Sequence, residues 1–223
     1  MDREKLIAII DYTLLQPTAT RQDIQRFCEE TIHYGFRTVF VNPYYVSYAH
    51  SLLFPHGIKV GAPIGFSLGG ATTHVKVEET KEAIQHGAQE IDMLMNIGAF
   101  KSGEYDVVRN DIAAVVEASQ GLTTKVIIET ALLTDEEKVK ATELIIEAGA
   151  HFVKTATGFN GGGATVEDVK LLRSVAGDKI GVKAAGGVKT YEDAVNIAAS
   201  GADRIGASGA IQIVNGKVSN SDY

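Results

Sequence analysis

Short apolar, β-branched runs alternate along the chain with longer stretches in which apolar residues recur every three or four positions. The runs are RTVFVNP (37–43), KVGAPIGF (59–66), EIDMLMNI (90–97), KVIIET (125–130), FVKTATG (152–158), IGVKAAG (180–186) and DRIGAS (203–208), and a shorter one over 9–14 makes eight. Near-continuous apolar runs of this length suit parallel strands covered on both faces. Between them, VEETKEAIQHGA, DEEKVKATELIIEAGA and YEDAVNIAASGA carry helical periodicity and end at a glycine suited to a helix C-terminus. Thr134 with Glu137, Thr165 with Asp168 and Thr190 with Asp193 have the spacing of N-terminal capping boxes. Glycines 35, 57, 87, 121, 149, 177 and 201 punctuate the chain at the spacing of one βα unit. The pattern predicts a single (βα)8 TIM-barrel domain over 1–223, ending in a short polar tail from about residue 215. An open doubly wound sheet would carry a Gly-rich dinucleotide fingerprint after its first strand, and RTVFVNPYYV has none.

Composition narrows the partners. The chain has 21 Lys+Arg against 28 Asp+Glu, a formal charge of −7, which argues against nucleic acid or an anionic membrane surface. No run approaches the length of a membrane span, and MDREKLIAIIDY lacks the longer apolar region of a signal peptide. The single cysteine, Cys28, excludes an internal disulfide and fits a reducing cytoplasm.

Against that pattern, two lysines stand out. Lys154 lies inside FVKTATG and Lys183 inside GVKAAGG, each three residues before a strand-ending loop. In a closed barrel, equal offsets on adjacent strands bring two amines to similar height at the mouth, because neighbouring strands lie about 4.8 Å apart. One reading is that each lysine reaches solvent from a strand end. The other is chemical. Desolvation and a neighbouring cation both favour the neutral amine, which attacks carbonyl carbon to form a Schiff base. Asp92, in EIDMLMN, is a third ionisable group on an apolar strand, and serves as a lysine's ion-pair partner, a proton relay, or both.

The loops after the last two strands carry Gly186 and Gly187 before a helix start at Thr190, and Gly206, Ser208 and Gly209 before the final segment. Exposed amides there favour a phosphate, which barrels often bind at these positions. The six histidines form no metal-ligand pair with a nearby acid. His86 and His151 sit beside helix-ending glycines, where helix-dipole contact or exposure accounts for them. GFNGGGAT lacks the GK[ST] of a P-loop and reads as a mobile loop over the mouth, while PYYVSY reads as packing or an oligomer interface.

These residues together resemble the class I deoxyribose-phosphate aldolases. The resemblance runs over nearly the whole chain: DYTLL (11–15), VNPYYV (41–46), EIDMLMNIGAFKSG (90–103), KVIIETALLTDEEK (125–138), FVKTATGFNGGGAT (152–165), VKAAGGVKT (182–190) and RIGASGA (204–210). It implies reversible cleavage of 2-deoxy-D-ribose 5-phosphate to D-glyceraldehyde 3-phosphate and acetaldehyde, with no metal and no cofactor. It further implies that Lys154 forms the Schiff base, Lys183 is its activating and proton-transferring neighbour, and Asp92 takes part in proton relay. The phosphate would lie against Gly186, Gly187, Gly206 and Ser208, and the enzyme would be a homo-oligomer, taken as a dimer.

The chain departs from the family pattern in three places. Tyr12 stands where histidine is common, Phe40 where cysteine is frequent, and Gly209 where a second serine often follows Ser208. The tail SNSDY reads as a disordered end, with a visit of Tyr223 to the site as the alternative. Two rival functions remain at this point: a transaldolase-like Schiff-base enzyme, distinguished by a transferred three-carbon unit in place of free acetaldehyde, and a noncatalytic sugar-phosphate-binding regulator, which has no use for paired lysines.

Overall fold

The structure, a computed structural model, describes residues 1–220; Tyr223 lies outside the described residues. Its eight strands are β1 (Ile10–Leu14), β2 (Thr38–Val41), β3 (Lys59–Ile64), β4 (Glu90–Leu94), β5 (Thr123–Ile127), β6 (Phe152–Lys154), β7 (Gly181–Ala185) and β8 (Arg204–Ala207). They run parallel in sequence order, and β1 pairs with β8 to close the barrel. This is the (βα)8 barrel that the pattern predicts.

Alternation along the strands sorts two environments. Val39, Val60, Ile91, Val126, Val153 and Val182 belong to the apolar core that also contains helix residues such as Ile24, Val108, Ile112, Leu144 and Leu172. Removing these side chains from water supplies the main drive for wrapping helices on the sheet. Their strand neighbours Asp11, Phe40, Asp92, Lys125 and Lys183 point the other way, into the barrel. Contacts between β4 and β7, which are not neighbours in the sheet, can only cross that interior.

Helix starts follow the side-chain chemistry. Thr134 with Glu137 and Thr190 with Asp193 form complete capping boxes. At Thr165 only half of the predicted box forms: the hydroxyl accepts the Asp168 amide, but the Asp168 carboxylate instead contacts Lys138 at 2.6 Å. A further complete box joins Thr20 and Asp23. The chain opens with a helix that the pattern did not predict, Arg3–Ile9, capped by Asp2. Arg3 Nε donates to Val214 O at 3.1 Å, tying this helix to the last one, Ala210–Val214.

Other local expectations change. The polar tail is not free at Ser219, which is buried and whose amide donates to Lys189 O at 2.8 Å. His151 is exposed as expected, and its Nδ1 also accepts the Thr124 amide at 3.1 Å. Of the PYYVSY tyrosines, Tyr45 donates to Ala19 O and Tyr48 packs under Arg21, leaving Tyr44 as the widely exposed ring.

Two glycines make the interior possible. A Cβ on Gly61 would lie 2.4 Å from the Phe40 ring, and one on Gly181 2.2 Å from the Phe152 ring. The large rings therefore fill the barrel because the facing strands have no side chain at those points. Gly61→Ala is expected to destabilise the fold by about 1–3 kcal/mol through overpacking. Chemical denaturation should show the loss, and adding Phe40→Leu should recover part of it; an unchanged midpoint in G61A would contradict this packing.

Candidate active site

Register places the two lysines. Lys154 ends β6 directly opposite Lys183 of β7, and Ile127 of β5 faces Lys154 from the other side. Their amines converge on one atom: Asp92 Oδ2 accepts from Lys154 Nζ at 2.9 Å and from Lys183 Nζ at 2.7 Å. The other oxygen, Oδ1, accepts from Lys125 Nζ at 3.0 Å. The sequence reading set two ammonium groups side by side; the structure sets a carboxylate between them.

The network extends towards the opposite end of the barrel. Lys125 also donates to Glu90 Oε2 at 2.5 Å, and the exposed Lys59 lies 3.8 Å from Glu90 Oε1. Lys183 makes a close ion pair with Asp11 Oδ2, 2.6 Å away, without hydrogen-bond alignment. Arg204 holds the other Asp11 oxygen, with Nε at 2.9 Å. Four cations, Lys125, Lys154, Lys183 and Arg204, thus face three acids, Asp11, Glu90 and Asp92. Under the lysines lies Phe40, whose ring centroid is 3.9 Å from Lys183 Nζ and 4.7 Å from Lys125 Nζ. Its electron-rich face offsets part of the cost of holding those amines out of water. Phe40 is therefore a wall of the charged interior, whereas Tyr12 packs outside it on Phe27 and Phe36 and donates to Glu30 at 3.0 Å.

The excess of one positive charge shows in the protonation equilibria. Burial first, and then the charges of Lys154 and Lys125, overcome the pull of Asp11 and Asp92 and bring the Lys183 amine down to about 8. Burial alone would raise the Asp92 carboxyl, but Lys125, Lys154 and Lys183 hold it well below the usual carboxylate range. Asp11 is likewise kept low against burial by Lys183, Lys125 and Arg204. Lys125 moves the other way: Asp92, Asp11 and Glu90 outweigh its desolvation and raise it. Near neutral pH, then, Lys125 stays an ammonium ion and Asp11 and Asp92 stay ionised, while Lys183 exchanges its proton.

Towards the mouth, Gly206 is level with Ala185, two residues beyond Lys183 on β7, and half-buried Ser208 follows β8. Gly186 and Gly187 leave β7 with φ of +82° and +75°, a turn open to residues without a side chain. The amides of Lys189 and Thr190 are taken by the Asp193 carboxylate, so the helix start beyond this turn is capped from within. The loop over 158–164 lies against the same turn, with Ala164 N donating to Gly186 O at 3.0 Å. The expectation of a mobile loop changes accordingly. Asn160 Nδ2 donates to Ser67 O at 2.8 Å and to Glu129 Oε2 at 2.9 Å, so the loop is anchored on both sides.

Sequence reasoning singled out Lys154, Lys183 and Asp92, which the structure brings together, and missed Asp11, Glu90, Lys125, Arg204 and Glu129. Asp11 carried a readable signal, an acid within the 9–14 apolar run. Glu90, Lys125 and Arg204 begin apolar runs and so look like ordinary strand flanks. Among the described residues, no group of three or more His, Cys, Asp and Glu side chains has the arrangement of a metal site.

Comparison with known proteins places the chain in a family. Residues 5–215 match the model of the family described as DeoC/LacD family aldolase. A protein of Oceanobacillus iheyensis named deoxyribose-phosphate aldolase 2 is 65% identical over the whole of both chains. One from Thermococcus kodakarensis, named deoxyribose-phosphate aldolase, is 53% identical over 97% of this chain and 98% of its own. The solved tetrameric deoxyribose phosphate aldolase of Aeropyrum pernix superposes with a TM-score of 0.90 at 34% identity, over 96% of this chain and 91% of that one. A closed barrel with paired interior lysines and these full-length similarities lead to one conclusion: the chain belongs to the DeoC/LacD family of aldolases.

Proposed function

We propose that the chain, working as one (βα)8 domain, reversibly cleaves 2-deoxy-D-ribose 5-phosphate to D-glyceraldehyde 3-phosphate and acetaldehyde through a Schiff base on Lys154. The observation that carries this reading is the single Asp92 oxygen in contact with both Lys154 and Lys183. Lys154 is the nucleophile, Lys183 its proton-transferring neighbour and Asp92 the group between them. Gly186, Gly187, Gly206 and Ser208 hold the phosphate.

The chemistry follows from the proton count. With Lys183 at about 8, roughly a tenth of the sites hold it neutral at pH 7. A neutral Lys183 takes the Lys154 proton across Asp92 Oδ2, which lies within reach of both amines. Neutral Lys154 then attacks C1 of the open-chain sugar, and the Lys183 ammonium gives its proton to the departing hydroxyl, so that loss of water leaves an iminium and a neutral Lys183. The iminium restores positive charge at Lys154, where Asp92 already holds a full negative charge for it. The C2–C3 bond breaks towards the iminium, leaving an enamine. As it breaks, neutral Lys183 receives the C3 hydroxyl proton, and its ammonium returns a proton to C2 of the enamine. Water then releases acetaldehyde and regenerates the amine.

The same reading places the enzyme in the cytoplasm as a homodimer. It is supported by the lone buried Cys28, by the absence among the described residues of any helix long and apolar enough to cross a membrane, and by the exposed apolar side chains of Tyr44, Phe54 and Leu68.

Two measurements test the chemistry. Acetaldehyde followed by borohydride should add two carbons irreversibly at Lys154, located by peptide mass; an adduct at another lysine, or none, would sink the assignment. The pH dependence has a defined sign. Below about 8 Lys183 is the ammonium ion and above it the free amine, so kcat/KM should rise with pH through about 8 and then level off. A profile flat across that region would contradict a role for neutral Lys183.

A further inference from the structure

Glu129 is fully buried beside the site, yet it is not an ion-pair partner. Among the described residues, the other buried acids, Asp11, Glu90, Asp92, Asp111 and Asp168, each meet a lysine or arginine; Glu129 meets only neutral donors. Its carboxylate accepts the Thr157 amide at 3.1 Å, the Thr157 hydroxyl at 2.6 Å and Asn160 Nδ2 at 2.9 Å. A carboxyl group without a counter-charge is costly to bury, so its hydrogen-bond partners must be supplied by the surrounding structure.

The backbone reinforces the point. Glu129 has φ +55° and ψ +68°, a left-handed conformation that a residue with a Cβ adopts at a cost. On either side of it, Ile128 N donates to Lys154 O at 3.0 Å and Thr130 N to Thr155 O at 2.9 Å. The β5–β6 ladder therefore continues past Glu129, and the left-handed residue turns its side chain over the end of β6. There the carboxylate grips the loop that starts three residues after Lys154.

That loop touches every neighbour that matters. Asn160 reaches Ser67 O on the loop after β3, and Phe159 packs edge-on against Phe66 at 5.4 Å. At its far end, a Cβ on Gly163 would come within 2.7 Å of Gly186 O. We propose that Glu129 is a positioning residue that fixes the 157–163 loop against the Gly186–Gly187 turn, and so sets the phosphate end of the substrate at a fixed reach from Lys154. This rests on the functional reading given above.

Three donors converge on two oxygens, so an amide of the same shape cannot replace the carboxylate: its NH2 would face a donor. The test compares Glu129→Gln with the parent on 2-deoxyribose 5-phosphate and on 2-deoxyribose, which lacks the phosphate. Displacing the loop by about 1 Å should lower kcat/KM for the phosphorylated sugar about 100-fold. Turnover of 2-deoxyribose and borohydride trapping of acetaldehyde at Lys154 should change little. Asn160→Ala, a half-buried loop variant, should shift the ratio between the two sugars in the same direction and keeps the test available if E129Q does not fold. Equal losses on both sugars, or an unchanged ratio, would overturn the proposal. The two readings fail separately, since a parent enzyme left unmarked at Lys154 overturns the assignment of the nucleophile, whereas an unchanged ratio in a trappable variant overturns the role of Glu129.

Discussion

One buried carboxylate organises this barrel. Asp92 presents one oxygen to Lys125 and the other to both Lys154 and Lys183, so three amines from three successive strands are held at one point. Without it, Lys154 would lose its carboxylate partner while Lys125 and Lys183 kept only Glu90 and Asp11, leaving the buried amines short of counter-charge. With it, the interior remains one positive charge in excess, and that excess falls on Lys183. The mutual arrangement of Glu90, Asp11 and Arg204 follows, since each neutralises a member of the same cluster.

The charged interior is affordable because stability is supplied elsewhere. The apolar core lies between the sheet and the helices, in the outward-facing half of each strand. The inward half is thereby freed for polar groups and for the rings of Phe40 and Phe152, which enter where Gly61 and Gly181 leave room. The parallel pairing of β6 and β7 in direct register then converts equal sequence offsets into a pair of facing lysines. Fold and chemistry are joined at that register: a shift of one residue would turn Lys183 out of the barrel.

Much of this could be read from the chain. Apolar runs marked the strands to within a few residues, and Thr134 and Thr190 marked helix starts, because both signals arise from local periodicity and local hydrogen bonding. Lys154, Lys183 and Asp92 were legible as charges inside apolar runs. Lys125 and Arg204 were not, because a charge at the edge of an apolar run looks like a solvated flank until the barrel closes over it. The half-formed box at Thr165 shows the same limit, since the distant Lys138 takes the carboxylate that local spacing assigned to the cap. Glu129 was hidden for another reason: its left-handed backbone is imposed by the β5–β6 pairing, and no propensity of glutamate announces it.

The central claim concerns where the exchangeable proton resides. Following the side-chain carbon and nitrogen signals of Lys183 by NMR in lysine-labelled protein, from pH 6 to pH 10, observes it directly. The account predicts that the Lys183 ammonium gives way to the neutral amine at about 8. A Lys183 that remained an ammonium ion at pH 10 would contradict it.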